Sequence, residues 1–183
     1  DHIYTQAINQ ITPAVDGSPF PLILFSHGLW LARANNTSYA QELASHGYIV
    51  ACIGHTYASA LTIFPDGRMI ECNDFNLFDQ QQMNDEHDVW VADYEFVIKT
   101  ITAMNNDEQA LLFRLIDLEK VGVVGHSFGG SVAAQLCRSN DKLKAGVNLD
   151  GAIFGDQWQQ PCQVPFMTMQ GGLCLQRFEQ DLA

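Results

Sequence analysis

The sequence predicts an α/β fold, a mostly parallel sheet with helices on both faces. Three observations carry that expectation. Short apolar, β-branched runs alternate with stretches of helical periodicity along the chain. Two of the runs, Leu22-Ile23-Leu24-Phe25 and Val121-Gly122-Val123-Val124, carry no polar residue, as strands covered on both faces do. One junction between a strand and a helix reads Gly125-His126-Ser127-Phe128-Gly129-Gly130, a serine with glycines two before and two after it.

The elements follow in order. Pro19 to Pro21 leads into the strand 22–25, which ends at Ser26-His27-Gly28-Leu29-Trp30. Residues from about 37 to 46 read as a helix, closed by Gly47 in a C-terminal cap position. Tyr48 to Ile53 is the next strand. Leu61 to Phe64 and Met69 to Cys72 flank Pro65-Asp66-Gly67-Arg68, where proline presets φ and glycine accepts positive φ, so a hairpin-like excursion is expected. From Asp85 to about Met104 the apolar residues Val89, Trp90, Tyr94, Val97, Ile98 and Ile101 recur close to the helical period. After the strand 121–124, Ser131 to Cys137 reads as a helix whose small residues allow close packing on the sheet. Gly146 to Asp150 and Val164 to Met169 are two further strands. Such alternation implies parallel pairing with helical crossovers.

Composition bounds the function. The 183 residues suit one domain with a sizeable core, and 47% apolar with 16% charged residues is a globular balance. A net charge of −12 argues against a nucleic-acid partner and against docking on anionic membranes. Five cysteines lack metal-ligand spacing, so neither a metal nor a cofactor is implied; Cys52 and Cys137 read as small core residues. No run reaches the roughly 20 apolar residues of a membrane span. The compartment is left open.

The chemistry centres on Ser127. A serine on a tight strand-to-helix turn, with glycines where backbones come too close for a Cβ, is the nucleophile elbow of the α/β-hydrolase fold. In such sheets sites form at the carboxyl ends of strands. Asp150 ends the next strand, 23 residues after Ser127, where an acid can orient an imidazole; Asp150-Gly151 also reads as a plain turn. A backbone N–H of the His27-Gly28-Leu29 segment can join that of Phe128 in an oxyanion hole. His27 is expected to be structural, and His126 to help set the elbow. His46, His55 and His87 precede the serine and would break the order Ser, acid, His. No histidine follows Ser127.

Taken together, Phe25-Ser26-His27-Gly28-Leu29, Glu42-Leu43-Ala44-Ser45-His46-Gly47-Tyr48-Ile49-Val50-Ala51, Gly125 to Gly130 and Leu149-Asp150 resemble the platelet-activating-factor acetylhydrolases of the plasma and intracellular type II kind, and their bacterial relatives. The resemblance runs from about Pro21 to Gln170, and His55, the Asp66-Gly67 turn and the helix holding Asp93 fit it. It implies a calcium-independent serine esterase that removes short acyl chains, typically acetyl, from phospholipids. Residue by residue, it makes Ser127 the nucleophile, Asp150 the triad acid, and the N–H groups of Leu29 and Phe128 the oxyanion hole. Trp30 stands where that family usually has glycine.

The family's catalytic histidine lies beyond the last strand read here. The expectation is therefore one α/β-hydrolase domain over residues 1–183 that stops before its final strand and helix and is nearly inactive as it stands. The expected partner is a small-molecule or lipid ester substrate, with room for peripheral lipid contact. Two other readings stay open: a general carboxylesterase or polyester hydrolase, and a non-catalytic binding relative lacking the base.

Overall fold

The structure, a computed structural model, describes residues 7–8, 11–16, 19–152, 154 and 160–172. Its main sheet has five strands in the spatial order β2 (Ile49–Ile53), β1 (Phe20–Ser26), β5 (Ile116–His126), β6 (Ala145–Leu149) and β7 (Phe166–Met169). Every neighbouring pair is parallel. A separate antiparallel hairpin joins β3 (Leu61–Ile63) to β4 (Met69–Glu71), and Gly67 at its turn has φ +86°. Among the described residues the α-helices are α1 (Thr37–Ser45), α2 (Gln80–Asn106) and α3 (Phe128–Ser139). A 3-10 turn, Arg33–Asn36, precedes α1.

Chain direction decides how the layers form. From β1 the chain moves outward through α1 to β2, then returns through α2 to the other side of β1 and continues β5, α3, β6, β7. Right-handed crossovers put α1 on one face and α2 and α3 on the other, and α2 and α3 do touch. The order reverses between β1 and β5, so the crevice at their carboxyl ends is the switch point where open sheets of this kind bind ligands. The core runs through Leu22, Leu24, Val121 and Val123 of the central strands, Met83, Trp90 and Tyr94 of α2, and Val132, Ala133 and Leu136 of α3.

Element boundaries depart furthest from the sequence reading in two places. Helix α2 starts at Gln80, before the expected Asp85, because the Asp79 carboxylate caps it by accepting from the Gln82 N–H at 3.1 Å. Its first three residues, Gln80 to Gln82, are polar, and its first apolar residue, Met83, is buried in the core. Strand β5 begins at Ile116 instead of Val121: Ile116 and Asp117 pair with Phe20 and Pro21, and the register then shifts between Pro21 and Leu22, passing over Leu118 to Lys120. Cys137 is buried as expected, whereas Cys52 is only half-buried.

Candidate active site

Strand β5 ends at His126 and α3 begins at Phe128, leaving Ser127 alone at the corner with φ +51° and ψ −120°. A non-glycine residue in such a conformation costs on the order of 1–3 kcal/mol and persists only where its surroundings fix it. Here they do. The Ser127 N–H donates to the Leu149 carbonyl at 2.8 Å, and its own carbonyl accepts from the N–H groups of Gly130 at 2.9 Å and Ser131 at 3.3 Å. The Ser127 side chain caps nothing in α3, so its hydroxyl is not spent on the helix. The flanking glycines are sterically required. A Cβ at Gly125 would overlap the Gly129 carbonyl, and one at Gly129 would stand 2.5 Å from the His27 carbonyl oxygen and 2.7 Å from Ser26 Cβ.

The register carries Asp150 alongside. His126 pairs with Leu149, so Ser127 and Asp150 are the next residues on strands about 4.8 Å apart. Asp150 also has positive φ, +58°. Its N–H donates to the Met169 carbonyl at 2.6 Å, and one carboxylate oxygen accepts from the Gly171 N–H at 2.7 Å. Buried Asn148 staples the turn that holds it: its Oδ1 accepts from the Gly151 N–H at 2.8 Å and its Nδ2 donates to the Gly151 carbonyl at 3.0 Å. A Cβ at Gly151 would overlap the Ser127 carbonyl, so the acid's turn rests directly on the elbow.

Two amides complete the corner. Ser26 pairs with Gly125, so Leu29 and Phe128 each lie three residues past a matched register position on adjacent strands. Phe128 is the first residue of α3, whose N–H has no intrahelical acceptor. In the β1 turn, the Leu31 N–H goes to the Gly28 carbonyl and the Trp30 N–H to the Ala58 carbonyl, both at 3.0 Å, while the Leu29 N–H has no backbone acceptor among the described residues. Trp30 sits at φ +62°, a backbone that favours glycine, and is 42% exposed.

Beneath the corner lies a polar chain, buried at Ser26 and His55 and partly exposed at Asp93, that sequence reasoning missed. Ser26 Oγ stands 2.7 Å from His55 Nε2, and His55 Nδ1 stands 2.7 Å from Asp93 Oδ2. With the Asp93 carboxylate as acceptor, Nδ1 carries the proton and Nε2 accepts from the serine hydroxyl. Ser26 and His55 are fully buried, and burial holds His55 below the usual imidazole range against the opposing pull of Asp93. His27 is locked in the same way. Its Nδ1–H donates to the Gly28 carbonyl at 2.7 Å, and its Nε2 accepts from Ser59 Oγ at 2.9 Å. Burial lowers its pKa to about 4. Trp90 stacks on His55 with ring centroids 3.6 Å apart and meets the Phe128 ring edge-on at 5.0 Å.

His126 ends β5 beside Ser127, while His46 and His87 lie elsewhere. His46 is exposed at the end of α1, and His87 packs under α3 with Nε2 at 3.3 Å from Ser131 Oγ. Ser26, His55 and Asp93 gave a weak sequence signal, because they come from three separate elements without fixed spacing. Asn148 gave none beyond its place two residues before the acid. Among the described residues there is no group of three or more His, Cys, Asp or Glu placed to hold a metal, and no helix long and apolar enough to cross a membrane.

Known proteins place the chain in a family. Residues 5–96, half of the chain, match the family described as platelet-activating factor acetylhydrolase, isoform II. The chain is 30% identical over 164 residues to a platelet-activating factor acetylhydrolase of Cavia porcellus, covering 78% of this chain and 37% of that protein. It is 29% identical over 141 residues to a probable 1-alkyl-2-acetylglycerophosphocholine esterase of Arthroderma benhamiae, covering 77% and 34%. Among solved structures, a ferulic acid esterase from Streptomyces cinnamoneus superposes with a TM-score of 0.71 at 26% identity, covering 91% of this chain and 48% of that one. The chain thus spans about a third of the length of the curated relatives it matches. An α/β-hydrolase sheet with its tight serine corner and a family match across half the chain lead to one conclusion: the chain belongs to the platelet-activating factor acetylhydrolase, isoform II, family.

Proposed function

We propose that this chain forms the nucleophile and oxyanion half of a serine esterase for short-chain acyl esters, among them the acetyl group of platelet-activating-factor-like phospholipids. One observation carries the reading. Ser127, at positive φ, and Asp150 leave neighbouring strands in matched register, next to the switch point of the sheet. Ser127 Oγ attacks the ester carbonyl as its proton passes to an imidazole that Asp150 orients. The N–H groups of Leu29 and Phe128 stabilise the oxyanion, the alcohol leaves with the proton, and water then hydrolyses the acyl-enzyme.

No histidine follows Ser127 in these 183 residues, so the reading needs an imidazole from outside them and must be tested on a chain of the relatives' length. Such a protein should hydrolyse acetyl esters and label at Ser127 with a fluorophosphonate, and Ser127→Ala should remove both, with turnover falling by roughly 10⁴–10⁶. A folded protein that neither labels nor hydrolyses any ester would overturn the esterase reading in favour of a binding relative. The likeness to a ferulic acid esterase favours a second reading, a general carboxylesterase or polyester hydrolase. Comparing kcat/KM for acetyl against longer acyl and aromatic esters separates the two.

A further inference from the structure

We infer that Asp93, His55 and Ser26 form a positioning relay for the oxyanion amides, fixing where the Leu29 and Phe128 N–H groups stand relative to Ser127. The inference rests on the esterase reading above and deepens it.

The geometry excludes the obvious alternative. These three side chains have the order and spacing of a Ser-His-acid triad, yet Ser26 is fully buried and has ordinary strand backbone, with no route to an ester. Their position gives them another task. Ser26 is the last residue of β1, three before Leu29, and lies against Gly129, the residue after Phe128: a Cβ on Gly129 would be 2.7 Å from Ser26 Cβ and 2.9 Å from its carbonyl oxygen. One residue therefore touches the mounts of both amides. His55, beyond the end of β2, ties Ser26 to Asp93 on α2, so three elements are pinned at one point.

A second route runs through the rings. Trp90 stacks on His55 and meets both Phe128 and His27 edge-on, at 5.0 and 5.2 Å. Its N–H donates to Glu86 at 2.8 Å, which fixes the indole plane. His27 in turn accepts from the backbone N–H of His55 at 3.4 Å and bonds the Gly28 carbonyl, one residue before Leu29. Both oxyanion residues thus hang from the same buried histidine. Displacements well under 1 Å matter at such a site, since small misplacements of donors can cost orders of magnitude in rate.

The test uses a chain of the relatives' length carrying Ser26→Ala, Asp93→Leu or Asp93→Asn. Ser26→Ala removes the hydroxyl with little volume change, and Asp93→Leu removes the acceptor for His55. Asp93→Asn keeps an amide oxygen to accept the His55 Nδ1–H and serves as the conservative rescue. Ser26→Ala and Asp93→Leu should each lower kcat by about tenfold or more with KM within about twofold. Affinity for a trifluoromethyl ketone, which binds Ser127 as a tetrahedral oxyanion, should fall in parallel. Asp93→Asn should restore most of both. Folded variants that lose thermal stability but keep kcat and ketone affinity would overturn the relay, leaving a structural role only. A wild-type protein that neither labels nor hydrolyses esters would overturn the esterase reading and the relay together, so the two failures are distinguishable.

Discussion

Gly129→Ala probes the central claim, because the added methyl group enters the contact on which the corner depends. Its Cβ would stand 2.5 Å from the His27 carbonyl oxygen and 2.7 Å from Ser26 Cβ, both parts of the buried end of β1. Real Cβ contacts almost never fall below 3.0 Å, so β1 and α3 must separate by at least about half an ångström. No flexible side chain is available to yield. Overpacking of this kind costs typically about 1–3 kcal/mol, and here the strain falls between the two amide mounts. Gly47→Ala is the matched control. Gly47 has φ +86° but nothing within 4 Å of where the methyl group would stand, so the substitution costs only about 1–2 kcal/mol of backbone strain and touches no part of the site. Urea unfolding followed by tryptophan fluorescence, with esterase kinetics on a chain of the relatives' length, reads both. The expected result is a loss of about 2–3 kcal/mol and at least about tenfold in kcat for Gly129→Ala, against a stability loss alone for Gly47→Ala. A Gly129→Ala protein within about 0.5 kcal/mol and about twofold of wild type would refute the packing argument.

Three more outcomes follow from the same geometry. His27 has a folded pKa of about 4 against an ordinary 6.5, so between these values the unfolded chain binds more protons; its contribution is complete above pH 6.5 and lost as pH falls through 4, about 3 kcal/mol in all. Urea midpoints measured across that range should show this slope, and His27→Gln should flatten it; an unchanged slope would contradict the buried neutral imidazole. Asn148→Ala leaves the Gly151 N–H and carbonyl without their partner, so stability should drop by about 1–3 kcal/mol and esterase turnover should fall with it, since the turn holds Asp150. Preserved turnover in a folded Asn148→Ala protein would show that the staple does not position the acid. Trp30→Gly removes the indole one residue after Leu29, whose ring lies near Phe75, and a side chain from φ +62°; the ratio of kcat/KM for longer acyl esters to that for acetyl should rise, and an unaltered ratio would place the indole outside the acyl path.

Much of the fold was legible because its signals are local. Continuous apolar runs mark strands covered on both faces, and β1, β2 and β6 stand within one or two residues of where those runs fall. The hairpin was legible for a similar reason, since Pro65 and Gly67 fix its turn chemistry. What failed to show was polar structure, whether made by a local cap or by long-range pairing. The start of α2 depends on a cap from Asp79, and the start of β5 on pairing with β1 ahead of a register shift. Neither a cap nor a register shift is written as a hydrophobic period. Ser127 was visible because close backbone approach demands glycine, and glycines appear in a sequence whereas contacts do not. Asp150 was visible only through its distance from Ser127.

The sheet sets two Ser-and-acid pairings side by side and shows why residue type alone cannot identify a nucleophile. Ser26 has the better partners: an imidazole at 2.7 Å, itself bonded to a carboxylate at 2.7 Å. A search for hydrogen-bonded triads would choose it. Yet its backbone is ordinary extended strand, its hydroxyl is buried, and its proton already has an acceptor. Ser127 has no capping bond and sits at φ +51°, held there by Leu149, Gly130 and Ser131. The folded chain thus sustains strain at one serine and relaxes the other completely. Strain that persists only because neighbouring backbone enforces it marks the residue whose exposure the fold maintains. By that criterion the hydrogen-bonded triad is scaffold, and the strained serine, which makes no cap bond, is the proposed nucleophile.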